Sequence, residues 1–288
     1  MRLRVSFADA PTFLRMIQAV AKTSPKCIIR LSAAAVQIIV PGEALESMQI
    51  WSTVPVDAFF NADYRIESNF NNQINLEIAT EPLLQALRST GKDAADVTMR
   101  LAKRDRDPLL SFSIGNTTMN GARLEIVQEV LIRILKPADI NRIQEPVSPV
   151  PDVHIFLPAK ISKLRKVAER MHSLTADHIL LSASRSGELK LAIEKDDCRV
   201  ETTWKDCARP KGDDITQSDD DHPASHHFSV KLDMKSFMRL LSSNIVDASS
   251  IIACICEAHC AIFYVYIGDT SQRSSRGVMT FFLPGLDT

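Results

Sequence analysis

The sequence predicts an α+β protein built from two similar domains, each with two helices packed on antiparallel sheet. The order strand, helix, several strands, helix, three strands occurs once in each half of the chain, and its period of about 150 residues indicates a duplicated architecture. Between the halves, Pro146, Pro149 and Pro151 favour an extended backbone that continues neither helix nor sheet. We therefore expect a first domain over 1–136, a proline-rich connector over 137–152 and a second domain over 153–288.

The first half begins with a strand and an amphipathic helix. Residues 2–7 alternate as a half-buried strand does, and residues 10–24 place apolar side chains at helical spacing. A second helix is predicted over 81–91, where Pro82 suits the first turn and Gly91 the end. The other predicted strands of this half cover 27–32, 35–40, 48–54, 74–80, 96–102, 109–115 and 123–135.

The second half repeats this order. A strand over 152–158 precedes a helix over 159–173, a hairpin turns at Gly187, and a further helix covers 233–244. The other predicted strands of this half cover 178–184, 188–194, 198–204, 226–232, 251–256, 260–267 and 277–283. Two unrelated α+β domains that happen to share an element order remain an alternative to a true repeat.

Composition restricts the class of protein. The chain has 288 residues, is 45% hydrophobic and carries a net charge of -1, so it predicts a globular protein without the overall basic excess of many nucleic-acid-binding proteins. No apolar run is long enough for a membrane helix, and the first residues lack the apolar core of a secretory signal, so we expect a location inside the cell. The nine glycines form no phosphate-binding loop, which argues against a nucleotide-hydrolysing enzyme.

Positive charge is concentrated on one side of each predicted helix, opposite its apolar face. A solvated surface explains any one such stripe, because exposed Lys and Arg are common. Four stripes of the same sign favour a polyanion, and no aromatic residues accompany them for base stacking, so duplex DNA held through its phosphates is the preferred interpretation. The predicted DNA-facing residues are Arg15, Lys22, Arg88, Lys92, Lys163, Lys166, Arg170, Lys235 and Arg239.

No group of residues predicts an active site, a cofactor or a metal. The segment 254–260 contains Cys254, Cys256, His259 and Cys260, but in a strand the first two cysteines face one side and are explained as small core residues. Turn chemistry explains Asp196 and Asp197, and a solvated acidic run explains Asp219 to Asp221. The six cysteines are expected to be reduced thiols. A metal-dependent nucleic-acid enzyme is kept as the alternative from another functional class.

Several segments together resemble a known family. They are 59–68, 74–90, 144–158, 188–206, 230–241 and 281–286. These segments span nearly the whole chain and are similar to the Hus subunit of the heterotrimeric DNA-damage checkpoint clamp, a sliding clamp of the proliferating cell nuclear antigen type. The most specific segment is "EPVSPVPDVHIFLP" within 144–158. None of these segments is a catalytic signature.

The resemblance implies a function. It implies a non-enzymatic ring of three different subunits, with partners of the Rad nine and Rad one type, that a clamp loader places around DNA in the nucleus. In such a ring the helices face the DNA, the sheets form the rim, and the connector offers a shallow apolar groove to partner peptides. The ring serves as a platform for checkpoint signalling and repair proteins. A homotrimeric processivity clamp is a close alternative.

The resemblance also implies that edge strands of neighbouring subunits pair. It suggests the strands over 123–135 and 198–204 as the edges, and both are long and fairly apolar. An edge blocked by its own charges remains an alternative, and the charges concerned are Arg123, Glu125, Glu129, Arg133, Arg199 and Glu201. The predicted interface residues are Leu124, Ile126, Val127, Val130, Ile132, Val200, Thr202 and Trp204. An acidic stretch over 207–225 departs from the family pattern and is expected to form a surface loop, with a partner-binding role as the alternative to a tolerated insertion.

Overall fold

A computed structural model describes most of the 288 residues and divides them into two compact units. The described ranges are 1–42, 47–89, 96–117, 123–158, 160–174, 177–195, 198–210, 222–242, 248–267 and 277–286. The main part of the first unit ends at Gln144 and that of the second begins at Glu145. This division falls inside the expected connector. The finer bounds 1–136, 137–152 and 153–288 remain a prediction.

The first unit consists of one antiparallel sheet and two main helices. Its elements are β1 (Arg2–Ser6), α1 (Ala10–Ala21), β2 (Lys26–Leu31), β3 (Ala35–Val40), β4 (Gln49–Pro55), β5 (Arg65–Glu67), β6 (Ile74–Ala79), α2 (Thr80–Arg88), β7 (Asp96–Arg104), β8 (Asp107–Thr117) and β9 (Arg123–Ile134), followed by a single helical turn, α3 (Pro137–Ile140). The strands are adjacent in the order β4, β3, β2, β6, β9, β8, β7, β1, β5.

The second unit repeats the helix pair but distributes its strands over two antiparallel groups. Its elements are β10 (Val153–Phe156), α4 (Ile161–Ser173), β11 (His178–Ser184), β12 (Leu189–Lys195), β13 (Cys198–Trp204), β14 (His227–Asp233), α5 (Met234–Ser242), β15 (Ala248–Cys256), β16 (Cys260–Ile267) and β17 (Gly277–Pro284). One group has the order β13, β12, β11, β14, and the other has the order β10, β15, β16, β17.

In each unit the two helices pack against each other and bury an apolar face. In the first unit α1 contacts α2, and Phe13 of α1 meets Phe59 edge to face with ring centroids 5.2 Å apart. In the second unit α4 contacts α5, and Phe237 lies 6.3 Å from Phe263 of β16. Such burial is worth about 1.5–3 kcal/mol for each large apolar side chain. The buried face therefore fixes which side of each helix remains outside. None of the helices in the described ranges is long and apolar enough to span a membrane.

The structure confirms the predicted α+β class, with three local differences. Helix α1 ends at Ala21, three residues before the predicted end: Thr23 and Ser24 both donate backbone N–H groups to Val20 O in a tightened last turn, and Pro25 disfavours helical backbone at Ser24. Strand β5 was not predicted, since three residues are too few to show alternation. A helical turn, α3, opens at Pro137 within the expected connector and was not predicted.

Candidate nucleic-acid interface

Helix α4 presents the densest group of cations. Its buried residues Ile161, Leu164, Ala168 and Met171 recur at helical spacing and face the core. Lys163, Lys166 and Arg170 fall on the remaining surface and are exposed. The spacing of the apolar residues thus determines that these three cations point away from the protein.

The carboxylate on the surface of α4 is already engaged. Glu169 Oε1 lies 2.8 Å from Arg165 Nε, one turn earlier on the helix. No carboxylate in the described part of the chain forms a salt bridge with Lys163, Lys166 or Arg170. These three side chains are therefore available to an external anion.

Helix α5 adds two further cations next to α4. It buries Met234, Phe237 and Leu241, while Lys235 and Arg239 are exposed. Asp233 Oδ2 accepts a hydrogen bond of 2.7 Å from the backbone N–H of Ser236, which caps the start of the helix. Because α4 and α5 are in contact, the outer surface of this helix pair carries five exposed cations from the predicted set.

Helix α1 holds its predicted cations differently. Arg15 is half-buried, and its Nη2 donates to Thr12 Oγ1 at 3.3 Å. Lys22 is exposed but is the residue that immediately follows the helix. Both residues also have further interactions within the protein. They are less available to a phosphate than the cations of α4.

Helix α2 pairs its described cation with a carboxylate on the same surface. Arg88 Nη1 lies 3.7 Å from Glu81 Oε1, and both side chains are exposed. The helix thus carries one cation and one carboxylate on the same surface. Lys92, the other predicted cation of this region, lies outside the described residues. Because Lys92 is not described, the positive face of α2 stays a prediction, in which Glu81, seven residues before Arg88, offsets the charge of Arg88.

The charge on the helix surfaces is therefore uneven between the two units. Helix α4 has four cations and one carboxylate, and α5 has two cations and no carboxylate. Helix α1 has one cation, and α2 has one residue of each sign. Among the described helices, positive potential is concentrated on the pair in the second unit.

Strand β13 is the outermost strand of its sheet, as its predicted role requires. It pairs with β12 along its whole length, and β12 separates it from β11. Val200, Thr202 and Trp204 are half-buried. Glu201 accepts a hydrogen bond of 3.0 Å from Lys190 on β12, and this bond is the main reason that the pKa of Glu201 lies below its usual value. The charge of Glu201 is thus paired within the sheet.

Strand β9 is paired on one side over most of its length. Residues 123–131 pair with β8, whereas β6 pairs only with the last residues, Ile132–Ile134. The other edge of 123–131 has no strand partner among the described strands. It is therefore open to a strand from another chain.

The predicted interface residues on β9 divide between two faces of the strand. Ile126, Val130 and Ile132 share a face with Leu124, and along this face the burial increases from Leu124, which is 47% exposed, to the buried Val130 and Ile132. Val127 is exposed on the opposite face. The face that contains Leu124 thus extends the apolar core, and its side chains become more exposed toward the start of the strand.

Three of the charges that might have blocked the β9 edge, Glu125, Glu129 and Arg133, are bound to neighbouring strands of the same sheet. Ser113 donates to Glu125 at 2.5 Å, Arg104 contacts Glu129, and Arg133 Nη2 lies 2.6 Å from Glu77 Oε2. The hydrogen bond from Arg133 is also the largest influence that lowers the pKa of Glu77. These side chains lie across the sheet surface and do not cover its edge.

The described part of the chain offers no candidate metal centre. The described residues contain no group of three or more His, Cys, Asp or Glu side chains arranged to hold a metal ion. Asp196, Asp197 and Asp219 to Asp221 lie outside the described residues, as does most of the acidic stretch 207–225.

Comparison with known proteins places this architecture in a family. Residues 1–287 match a family model described as Hus1-like protein. The chain belongs to this family. It is 34% identical over 292 residues to the checkpoint protein hus1 of Schizosaccharomyces pombe, covering 98% of each chain. It is 26% identical over 293 residues to the human checkpoint protein HUS1, covering 99% of this chain and 100% of the human protein.

Solved structures show that this Hus1-like protein has the sliding-clamp fold. The proliferating cellular nuclear antigen of Entamoeba histolytica superimposes with a TM-score of 0.70 at 14% identity, over 99% of this chain and 98% of the other. The PCNA of Thermococcus kodakaraensis gives a TM-score of 0.67 at 16% identity, over 98% and 99%. The predicted fold of two sliding-clamp domains is confirmed by these full-length matches.

Proposed function

We propose that this Hus1-like protein is a subunit of a ring-shaped checkpoint clamp that encircles duplex DNA at damage sites. The observation that carries this proposal is the set of exposed cations on α4 and α5, in a chain whose net charge is -1. The clamp fold and the checkpoint names of its relatives agree with this role. The bound ring is a non-enzymatic platform for checkpoint signalling and repair proteins, and the connector is the surface we propose for their peptides.

In the proposed mechanism, the closed ring keeps the complex on the DNA, and the cations only align the duplex within it. A closed ring remains on DNA because the duplex passes through it, so individual contacts need not be tight. Lys163, Lys166 and Arg170 hold phosphates, which recur every ~1.7 Å along the duplex axis, through exchangeable electrostatic contacts. Such contacts carry no sequence information. The ring can therefore slide while the cations keep the duplex aligned.

The open strand edges supply the proposed subunit contacts. Strand β13 and the 123–131 edge of β9 each pair with an edge strand of a different neighbour, of the Rad nine or Rad one type, and the Leu124 face extends the buried core across the contact. A clamp loader would open and close this assembly in the nucleus. The mass of the purified chain distinguishes the alternatives, because a homotrimeric processivity clamp elutes as a trimer. A heteromeric subunit elutes as a monomer that assembles only with its two partners.

The experiment that tests DNA contact reverses two charges of α4 in the assembled complex. Lys163→Glu with Lys166→Glu should weaken DNA retention and reduce its dependence on salt, because about two phosphate contacts are lost. A matched control is Lys103→Glu with Arg106→Glu, which reverses two exposed cations around the β7–β8 turn. Equal DNA retention by both double variants and the unaltered complex would contradict the proposed contact.

A metal-dependent nuclease is the alternative from another functional class. Measuring bound zinc and manganese and testing for chelator-sensitive DNA cleavage would reveal it. Cleavage that survives purification and stops on chelation would favour this alternative over the clamp.

A further inference from the structure

Cys256 and Cys260 lie directly opposite each other at the end of the β15–β16 hairpin. They are the last pair in its register, and only residues 257–259 separate them. The backbone N–H of His259 donates to Cys256 O at 3.1 Å, which closes the turn. Neither cysteine is needed for the proposed DNA contact or for the subunit edges.

The geometry of this pair suits a disulfide. Paired Cα atoms in antiparallel strands are about 4.5–5.5 Å apart, and a disulfide spans Cα separations of about 4.4–6.8 Å. The two side chains also lie on the same face of the hairpin, because residues paired directly across antiparallel strands do. Forming the bond would therefore require little movement of the backbone.

The two thiols are not equivalent. Once Cys260 is ionised, the Cys256 thiol can donate to its thiolate, and this hydrogen bond holds the pKa of Cys260 below its usual value. The pKa of Cys256 is raised, mainly by this hydrogen bond and secondly by the burial of Cys256. Cys260 is also the more exposed residue of the pair, at 9% against 1%. Cys260 is thus the sulfur that becomes a thiolate and meets an oxidant first.

We propose that Cys256 and Cys260 form a redox-active dithiol that hydrogen peroxide converts to an intramolecular disulfide. The Cys260 thiolate attacks one peroxide oxygen, the O–O bond breaks, and hydroxide leaves, which gives a sulfenic acid. The Cys256 sulfur then attacks the Cys260 sulfur, the S–S bond forms, and the S–O bond breaks. Water leaves with the proton of the Cys256 thiol. In total the dithiol loses two electrons and two protons, and the peroxide is reduced to water.

The connector is the part of the protein that this reaction affects. Cys256 Sγ lies 3.6 Å from the carbonyl oxygen of Pro149 and donates to it. The Cys256 thiol has a single proton. When Cys260 ionises, this proton turns toward the Cys260 thiolate, and the hydrogen bond to Pro149 is lost. In the disulfide, Cys256 has no proton to donate. Asp152 remains attached, because its Oδ2 accepts from Glu257 N at 2.7 Å and its N–H donates to Ile255 O. Oxidation therefore loosens the backbone around Pro149 and leaves Asp152 in place.

Neighbouring cysteines provide internal comparisons. Cys254 is buried two residues before Cys256 and faces Ile262 across the hairpin. Cys27 is buried opposite Ile78 in the first unit. Burial raises the pKa of each of these thiols to about 12. We expect both to remain reduced under conditions that oxidise the pair.

Peptide mapping of the full chain tests the dithiol. The protein is treated with hydrogen peroxide, free thiols are alkylated, and the chain is cleaved after Glu257, within the turn that joins the two cysteines. A disulfide keeps the two resulting peptides together until a reductant separates them. We expect this linkage in the unaltered protein and in Cys254→Ser, and its loss in Cys256→Ser and Cys260→Ser. Hydrogen exchange on the unaltered protein should show faster exchange at Ser148 and Val150 after oxidation.

Two results would overturn the proposal. One is separate, fully alkylated peptides from the peroxide-treated, unaltered protein, a result that does not depend on whether any variant folds. The other is a linkage that persists in Cys256→Ser, which would show that another cysteine of the 202–257 peptide, Cys207 or Cys254, is the partner of Cys260. Unchanged exchange at Ser148 and Val150 in the linked protein would overturn the effect on the connector. DNA retention does not enter this test, so the proposed clamp function and the dithiol can fail independently.

Discussion

Arg88 Nη1 lies 3.7 Å from Glu81 Oε1 on the exposed surface of α2. An exposed pair of this kind adds only about 0–1 kcal/mol to stability. Its importance is electrostatic, because it neutralises a cation that would otherwise face a polyanion. Three of the four cations of α4, Lys163, Lys166 and Arg170, have no such partner among the described residues, whereas Arg165 is paired with Glu169. The structure therefore predicts that the two units contribute unequally to DNA binding.

Neutralising one cation on each unit tests this asymmetry. In the assembled complex, Lys166→Gln should lower the slope of log affinity against log salt by about 0.9, the value for one phosphate contact. Arg88→Gln should leave the slope close to that of the unaltered complex, because Glu81 already offsets its charge. Titration of duplex DNA at several salt concentrations measures both slopes. Equal reductions by the two variants would contradict the asymmetry.

Leu124 and Leu131 allow a test of the β9 edge. Leu124→Lys places a charge on the face that extends the core, so assembly with the neighbouring subunit should lose about 1.5–3 kcal/mol, roughly a ten- to hundredfold loss of affinity. Leu131 is 65% exposed on the opposite face, and Leu131→Lys should leave assembly unchanged. Analytical ultracentrifugation of the mixed subunits measures the difference. If Leu131→Lys weakened assembly as much as Leu124→Lys, the subunit interface would not be formed by the face of β9 that contains Leu124.

Gly187 is required at the β11–β12 turn. Its φ is +91°, and a Cβ there would lie 2.8 Å from Cys207 O. Gly187→Ala should therefore lower the free energy of unfolding by about 1–3 kcal/mol in urea denaturation. Gly115→Ala is the control, since its Cβ would meet its nearest atoms at 3.6 Å. The account of this turn would be wrong if both variants were equally stable.

Glu77 predicts a pH dependence of stability. Hydrogen bonding to Arg133 holds the pKa of Glu77 below its usual value of about 4.3. A depressed carboxyl pKa stabilises the folded state above the unfolded pKa, and this contribution disappears as the pH falls through the folded pKa. The stability difference between the unaltered protein and Glu77→Gln should therefore be largest near neutral pH and shrink below pH about 4. Urea titrations at several pH values measure it, and a difference that does not change with pH would contradict the assignment.

Most of the fold could be predicted from the sequence because its helices and most of its strands are strongly periodic. The apolar residues of α4, including Leu164 and Met171, have a helical spacing that also determines where Lys163 and Lys166 point. Strand β5 and the turn α3 were missed because three or four residues carry too little periodicity. Local pattern thus gives the elements and their outer faces.

What the sequence could not supply were interactions between side chains whose pairing depends on the folded geometry. The pairing of Glu81 with Arg88 is an exception, because their spacing of seven residues, two helical turns, could have suggested it from the sequence. The contact between Glu77 and Arg133 joins strands 56 residues apart, and no local pattern indicates it. The contact of Cys256 with Pro149 is of the same kind, since it depends on how the connector lies over a hairpin.

Retention of the loaded complex on closed circular duplex DNA, compared with the same DNA after linearisation, tests the encircling role most directly. The account predicts that the complex containing this chain stays on the circle at a salt concentration that abolishes binding to linear DNA, and is released when the circle is cut. Equal retention on the closed circle and on the cut DNA at that salt concentration would contradict it.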